Sequence, residues 1–326
     1  MEQTQNLEQR PSRGELLVQR AEWEAEDVLG LVLVDPEGKD LPAWAPGAHL
    51  DLTLPSGTVR QYSLCGDPAD RGAYRIGVLR EPQGRGGSEE VHRTRLEGTR
   101  LTFDGPRNLF PLVAAERYLF VAGGIGITPI LSMIRALGEP GRSADWSLVY
   151  GGRSLRSMAY VDEVAELSRG TAVLVPQDRL GLPDLDELLG DLPQGTSVYC
   201  CGPEGLLRAV EERCARLLPP GSLHVERFTA AAGGQVTDSG FEVELRGTGV
   251  TLRVPPDKSL LQVVREAVPS VLYSCEQGHC GTCETPVLEG EPLHRDEYLT
   301  DEERSAGDTM MICVGRSKSA RLVLDL

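Results

Sequence analysis

Apolar and polar positions alternate with period two through the first third of the chain. Leu50-Asp51-Leu52-Thr53-Leu54 runs into the turn residues Pro55-Ser56-Gly57, and Ala73-Tyr74-Arg75-Ile76-Gly77-Val78 repeats the pattern. Such runs, cut by Gly, Pro and Asp, put alternate side chains on opposite faces of a sheet, which favours a small antiparallel barrel over residues 14–112. Helical signal there is confined to Ser88–Leu96. From Glu116 the pattern changes. The compact run Tyr118–Ala122 leads through glycines into a helix-like Pro129–Leu137. Further strands are expected at Trp146–Tyr150, Ala172–Val175 and Ser197–Cys200, with helices at Tyr160–Leu167 and Leu206–Leu217. Alternating strand and helix predicts an α/β domain with a parallel sheet over residues 113–228.

Residues 229–239 are small, polar and aperiodic, a linker composition that as a flexible coil spans roughly 17–20 Å. Strand-like alternation resumes over residues 240–326 at Phe241–Leu245 and Val250–Val254, followed by a helix candidate at Ser259–Ala267. With residues 1–13 as a flexible N-terminus, the expectation is three domains. A length of 326 residues accommodates them at roughly 100–200 residues each.

Composition narrows the function. Apolar residues are 40% and charged residues 25%, an ordinary globular balance. Lys plus Arg is 33 against 49 for Asp plus Glu, a formal net charge of −16. Such a chain repels phosphate backbones and anionic lipid, so neither nucleic acid nor a membrane surface is expected as a partner. No apolar stretch approaches the ~18 residues of a spanning helix, and the polar start has no secretory h-region. The reading is a cytoplasmic monomer. In that reducing compartment eight cysteines point to metal ligands, catalytic groups or buried thiols rather than disulfides.

Four of the eight carry the strongest signal. Cys275, Cys280 and Cys283 have the spacing C-x4-C-x2-C, and Cys313 follows well downstream. This is the plant-type arrangement for a [2Fe–2S] cluster, whose irons need four soft thiolate ligands. Gly278 and Gly281 would let the loop curl so that its N–H groups face the cluster sulfurs. A structural zinc site usually pairs two close knuckles, whereas three ligands here share one loop. The segment resembles the ferredoxin (β-grasp) domain over nearly all of 240–326.

Two motifs in the first domain suit a flavin. Arg60-Gln61-Tyr62-Ser63 supplies a cation for phosphate, an aromatic face for stacking and a small hydroxyl. In isolation this tetrad reads rather as an Arg–Tyr pair on a strand surface. Gly84-Arg85-Gly86-Gly87-Ser88 opens the helix candidate, so its free N–H groups form an anion site with Ser88 as N-cap and phosphate ligand. A bare glycine turn is the alternative. The tetrad resembles that of ferredoxin–NADP reductase-like barrels, and the RGGS loop resembles the FMN-binding loop of the phthalate dioxygenase reductase family. The resemblance implies Arg60 on flavin phosphate, Tyr62 on the isoalloxazine ring, Ser63 near flavin N5, and backbone contacts from Gly77, Val78 and Leu79. Gln61 lies within the same cofactor strand.

In the second domain Gly123-Gly124-Ile125-Gly126-Ile127-Thr128-Pro129 follows a strand and precedes a helix, where glycines let pyrophosphate approach the backbone. It is not a GxGxxG fingerprint; it is similar to the nicotinamide-binding turn of the same superfamily. Cys201-Gly202-Pro203 resembles that superfamily's CGP segment, which implies a thiol, Cys201, beside the nicotinamide ring. On its own Cys201 reads as a buried thiol. Phe228 matches the aromatic that shields the flavin face, or else plugs the interdomain core. Arg153, Ser154 and Arg156 follow the Trp146–Tyr150 strand, where a 2′-phosphate would sit and basic residues could accommodate it, whereas the family resemblance implies NADH. No histidine is assigned as a general base.

The order of barrel, nucleotide domain and ferredoxin resembles the phthalate dioxygenase reductase and vanillate demethylase reductase family from about Gly14 onward. The resemblance implies hydride transfer from NADH to FMN, then single electrons through the [2Fe–2S] cluster to a terminal Rieske-type oxygenase. A hydride carries two electrons and a cluster one, so a flavin between them fits the chemistry. The alternatives left open are a cytochrome P450 partner, FAD in place of FMN, NADPH in place of NADH, and a non-catalytic redox sensor.

Overall fold

The computed structural model describes residues 12–82, 84, 86–138, 144–167, 170–228, 239–256, 258–273, 278, 281–296 and 298–326. Six antiparallel strands come first: β1 (Ser12–Ala25), β2 (Val28–Val34), β3 (His49–Thr53), β4 (Val59–Ser63), β5 (Tyr74–Leu79) and β6 (Arg100–Arg107). Their order is β4-β3-β6-β1-β2-β5. A bridge between Leu64 and Ile76, with the Cys65 N–H donating to Arg75 O at 2.9 Å, joins the two edges and closes the barrel. The period-two pattern buries Leu16, Val18, Leu50, Leu52, Tyr74 and Ile76 in one core. β1 starts at Ser12, so Ser12 and Arg13 are strand rather than flexible terminus. Its bulges after Val18 and Trp23 bend one strand along two neighbours, β2 and β6.

A short helix α1 (Gly87–Arg93) sits between β5 and β6. It starts one residue before the expected position. Gly86, with φ 83°, is its N-cap, and the Ser88 hydroxyl instead accepts the Glu81 N–H at 3.0 Å. Ser88 is therefore not the N-cap.

Five parallel strands follow: β7 (Arg117–Gly123), β8 (Asp145–Gly152), β9 (Gly170–Pro176), β10 (Thr196–Cys201) and β11 (Leu223–Glu226), in the order β11-β10-β7-β8-β9. Helices α2 (Ile127–Leu137), α3 (Val161–Glu166), α4 (Gln177–Leu180), α5 (Leu185–Gly190) and α6 (Glu204–Leu217) connect them. The central strand β7 reads as a continuous apolar run because both of its faces are covered. The chain leaves β7 toward β8 and β9, then returns to β10 on the other side. The carboxyl ends of β7 and β10 therefore flank the switch point, where open α/β sheets bind ligands.

The last segment contains β12 (Phe241–Leu245), β13 (Val250–Val254), α7 (Leu260–Ala267), β14 (Glu284–Glu289), β15 (Pro292–Leu293), α8 (Asp301–Ala306), β16 (Thr309–Met311), β17 (Arg316–Ser317) and β18 (Arg321–Leu324). The main sheet has the order β13-β12-β18-β14-β16, and β15 pairs with β17. β12 and β18 run parallel. Leu260, Leu261, Val263 and Val264 of α7 are buried in the same core as this sheet, a β-grasp. Ser259 and Gln262 form a capping box that starts the helix.

Barrel and nucleotide sheet make one compact unit, Met1–Arg227, and Phe228–Leu326 makes a second. The expected boundary after Phe228 thus falls one residue earlier, and the first two expected domains share a unit. The expected linker residues 229–238 lie outside the described residues. Among the described residues no helix is long and apolar enough to cross a membrane.

Candidate functional site

The nucleotide motifs all sit at strand carboxyl ends. Gly123 ends β7, and Gly124-Ile125-Gly126 forms a 3-10 turn leading into α2. Cys201 ends β10, and Gly202-Pro203 leads into α6. The two turns interlock backbone to backbone: a Cβ on Gly126 would lie 2.2 Å from Cys201 O, and one on Gly202 would lie 2.9 Å from Gly123 Cα. Thr128 and Pro129 are buried in the first turn of α2, where the Thr128 hydroxyl donates to Ile125 O at 3.0 Å. Arg153 and Ser154 follow the end of β8 on the same rim; Arg153 is exposed, and Ser154 caps a 3-10 turn.

The barrel meets this rim at Ser63. The hydroxyl of buried Ser63 donates to Glu226 Oε2 at 3.5 Å, and the Cys201 thiol donates to the same oxygen at 3.8 Å. Glu226 ends β11, so three strands from two sheets aim one hydroxyl, one thiol and one carboxyl at a single point. Burial pushes the Glu226 carboxyl up to about 8, against the pull of its two hydrogen bonds. Burial, then the adjacent Glu226, drives the Cys201 thiol far above its ordinary range. Cys201 is thus a thiol and not a thiolate nucleophile.

Arg60 and Gly87 come together although they are distant in the chain: a Cβ on Gly87 would lie 2.6 Å from Arg60 Nε. The cation expected for a phosphate and Gly87 of the glycine turn therefore share one place. The Tyr62 hydroxyl is buried with no hydrogen-bond partner among the described residues, an orphan that suits a polar ligand. Its phenol is pushed upward by burial. Gly77 on β5 packs under the nucleotide turn, since a Cβ there would lie 3.1 Å from Thr128 Cγ2 and 3.2 Å from Ile125 Cδ1. Val78 and Leu79 continue β5, Val78 O meeting His92 Nε2 at 2.9 Å. Gln61 Nε2 lies 3.3 Å from His49 Nε2. These residues fit a phosphorylated aromatic cofactor.

In the second unit Cys283 immediately precedes β14 and Cys313 follows β16, both buried. Those strands pair Glu284 with Met311, and the Ile312 N–H donates to Cys283 O at 3.3 Å, so the two thiols occupy neighbouring strand ends. Cys275 and Cys280 lie outside the described residues. Gly278 (φ 81°) and Gly281 (φ 73°) take the left-handed conformation that a curled ligand loop requires. The two described thiols, buried at adjoining strand ends, fit half of the donor set of a thiolate-bound cluster.

Residues 243–318 match the 2Fe-2S iron-sulfur cluster binding domain, and residues 120–180 match the oxidoreductase NAD-binding domain. Phenoxybenzoate dioxygenase subunit beta from Ectopseudomonas oleovorans is 44% identical over 93% of this chain and 94% of its own. The solved structure of phthalate dioxygenase reductase, a modular structure for electron transfer from pyridine nucleotides to [2Fe–2S], superposes with a TM-score of 0.76 at 37% identity. The match covers 96% of this chain and 98% of that one. The chain belongs to the phthalate dioxygenase reductase family. Like other members it is an oxidoreductase, an electron-transfer component for an oxygenase that joins NAD-binding and 2Fe-2S domains in one chain. It is also similar to an intact type IV self-sufficient cytochrome P450 monooxygenase, at 41% identity and a TM-score of 0.78. This chain spans 96% of its own length but only 41% of that protein.

Glu226 is the residue that sequence reasoning passed over. It stands two positions before Phe228, which drew attention as an aromatic at the end of the family's second domain. A glutamate at a strand end carries no signal until the partners it meets, Ser63 and Cys201, are known. Phe228 itself begins the second compact unit.

Proposed function

We propose that this protein takes hydride from NADH onto FMN held by the barrel. Electrons then pass singly through a [2Fe–2S] cluster on Cys275, Cys280, Cys283 and Cys313 to a terminal Rieske-type oxygenase. The observation that carries the proposal is the convergence of barrel Ser63 and nucleotide-domain Cys201 on Glu226. When bound, flavin and cluster supply the conversion of a two-electron donor into one-electron transfers.

The chain's own residues do the rest. Arg60 and the N–H groups of Gly86, Gly87 and Ser88 hold the phosphate, Tyr62 stacks on the ring, and Gly77, Val78 and Leu79 line its edge. Gly124, Ile125, Gly126, Thr128 and Pro129 shape the nucleotide turn, with Gly202 and Pro203 closing its other side. Arg153 and Ser154 border the ribose. The Asp178 N–H donates to Arg153 O at 3.1 Å, and NADH is the donor that the family resemblance favours. Ser63 and Cys201 orient the two rings while Glu226 holds a proton between them.

Acid-released flavin identified as FMN, together with faster reduction by NADH than by NADPH, supports this reading. FAD in the extract refutes the FMN assignment. Turnover of a Rieske oxygenase encoded beside this gene tests the partner. The likeness to a self-sufficient P450 favours a second reading, in which a P450 receives the electrons, and reduction of a neighbouring P450 instead would establish it.

A further inference from the structure

A polar seam joins barrel and nucleotide sheet away from the Ser63–Glu226–Cys201 convergence. Glu163 of α3 accepts two hydrogen bonds from Arg75 of β5, at 2.7 and 3.1 Å, and a third from Arg135 of α2. Arg135 also donates to Cys65 O at 2.7 Å. The Cys65 thiol lies 3.6 Å from the Tyr160 hydroxyl, and Arg75 stands over the Tyr160 ring at 5.7 Å. Tyr160 holds a left-handed φ of 60°, unusual for an aromatic residue, at the start of α3.

The seam has one centre. Two guanidinium groups, one from a barrel strand and one from a helix of the nucleotide domain, face one carboxylate, and a second carboxylate, Glu24, reaches Arg75 at 3.5 Å. All three charges are largely shielded from water, with side-chain exposures of 30% for Arg75, 28% for Glu163 and 17% for Arg135. Removing the carboxylate leaves two half-buried cations facing each other, a costly arrangement. Both ends of the seam connect to the redox site by short stretches of chain. Cys65 is two residues after Ser63. Arg135 rides on α2, whose first turn contains Thr128 and follows Gly126 directly. Gly77, two residues after Arg75, is the point where β5 touches Thr128 and Ile125.

We infer that Glu163 is a positioning residue for hydride transfer: by bridging Arg75 and Arg135 it fixes the nucleotide turn against the flavin strand. The inference rests on the function proposed above. A displacement of about 1 Å at reacting atoms costs on the order of 100-fold in rate, so loosening the seam by a fraction of that should be measurable.

The test compares the flavin-loaded parent with Glu163→Gln and with Glu163→Asp, which keeps the charge on a shorter arm. Three readouts apply: the single-turnover rate of flavin reduction by NADH, the long-wavelength charge-transfer absorbance of reduced nucleotide over oxidised flavin, and amide hydrogen exchange over residues 63–66 and 124–137. The expected result for Glu163→Gln is a rate lower by about tenfold, a weakened charge-transfer band, faster exchange in both segments and little change in NADH affinity. Glu163→Asp should recover much of the rate and band. If Glu163→Gln does not fold, Glu163→Asp alone should show the same losses in reduced form. Parent-like rate and band in whichever variants fold, with only a lower melting temperature, would overturn the inference while leaving the proposed function intact. A parent that no nicotinamide nucleotide reduces would overturn both.

Discussion

Gly126 and Cys201 touch through their backbones, with space for no side chain: a Cβ on Gly126 would sit 2.2 Å from the Cys201 carbonyl oxygen. The atom in the way is main chain and cannot swing aside. The turn that is to hold nicotinamide and the turn that carries the thiol are therefore one packed unit.

Gly126→Ala should lower stability by about 2 kcal/mol through overpacking and cut NADH-dependent flavin reduction by at least about tenfold through displacement of the turn. Gly205, in α6 with open space at its Cβ position, is the control. Gly205→Ala should be neutral or slightly stabilising. Thermal melting and stopped-flow reduction of both variants check the contrast, and equal behaviour would show that the close approach is relieved by easy backbone movement.

Glu226 gives a pH prediction whose sign follows from its environment. Its pKa rises from the ordinary 4.5 to about 8 in the folded protein, so the folded state holds this proton more tightly than the unfolded chain does. Stability from this group is present below about pH 4.5 and is lost as pH climbs toward about 8. Glu226→Gln removes the loss. The melting temperature of the variant should improve relative to the parent as pH rises from 5 to 8, while flavin reduction loses its dependence on a group titrating near 8. A constant difference in melting temperature across that range would mean that the carboxyl titrates normally.

Cys280→Ser should bleach the cluster absorbance while flavin reduction by NADH continues, because the cluster ligands belong to a different compact unit from Ser63, Cys201 and Glu226. Cytochrome or oxygenase reduction should stop. Visible spectra and single-turnover kinetics decide it; loss of flavin reduction would break the division of labour.

The segment 240–326 holds fifteen acidic and nine basic residues, a net of −6. Transfer to an oxygenase with a basic docking face should slow as salt rises to physiological strength, where the Debye length is about 8 Å. Ferricyanide reduction, which needs no protein docking, should change far less. Equal salt sensitivity in the two assays would assign the charge to solubility alone.

What was legible in the sequence was local. The C-x4-C-x2-C loop, the glycine turn after β7 and the CGP turn after β10 each announce themselves within a short stretch of chain, and the α/β alternation placed them at strand ends. Phe241–Leu245 was readable to the residue because its alternate apolar positions face one core, and Val250–Val254 because it keeps the same alternation beside it, although only Val254 is fully buried. What was not legible needed partners distant in the chain. Glu226 gains meaning only from Cys201, on the neighbouring strand, and from Ser63, which belongs to the other sheet. Ser88 looked like an N-cap until the Glu81 N–H claimed its hydroxyl. Glu163, an acidic residue in a short helix, carries no signal in the sequence, because its partners Arg75 and Arg135 arrive from two other elements.

In the proposed function one chain turns a two-electron donor into a one-electron source. Anaerobic mixing of the purified protein with NADH, followed by rapid freezing and electron paramagnetic resonance, tests it most directly. Flavin absorbance should bleach first, and the reduced-cluster signal should then grow at a rate independent of protein concentration. Flavin bleaching with the cluster still oxidised, or cluster reduction with no preceding flavin bleaching, would contradict it.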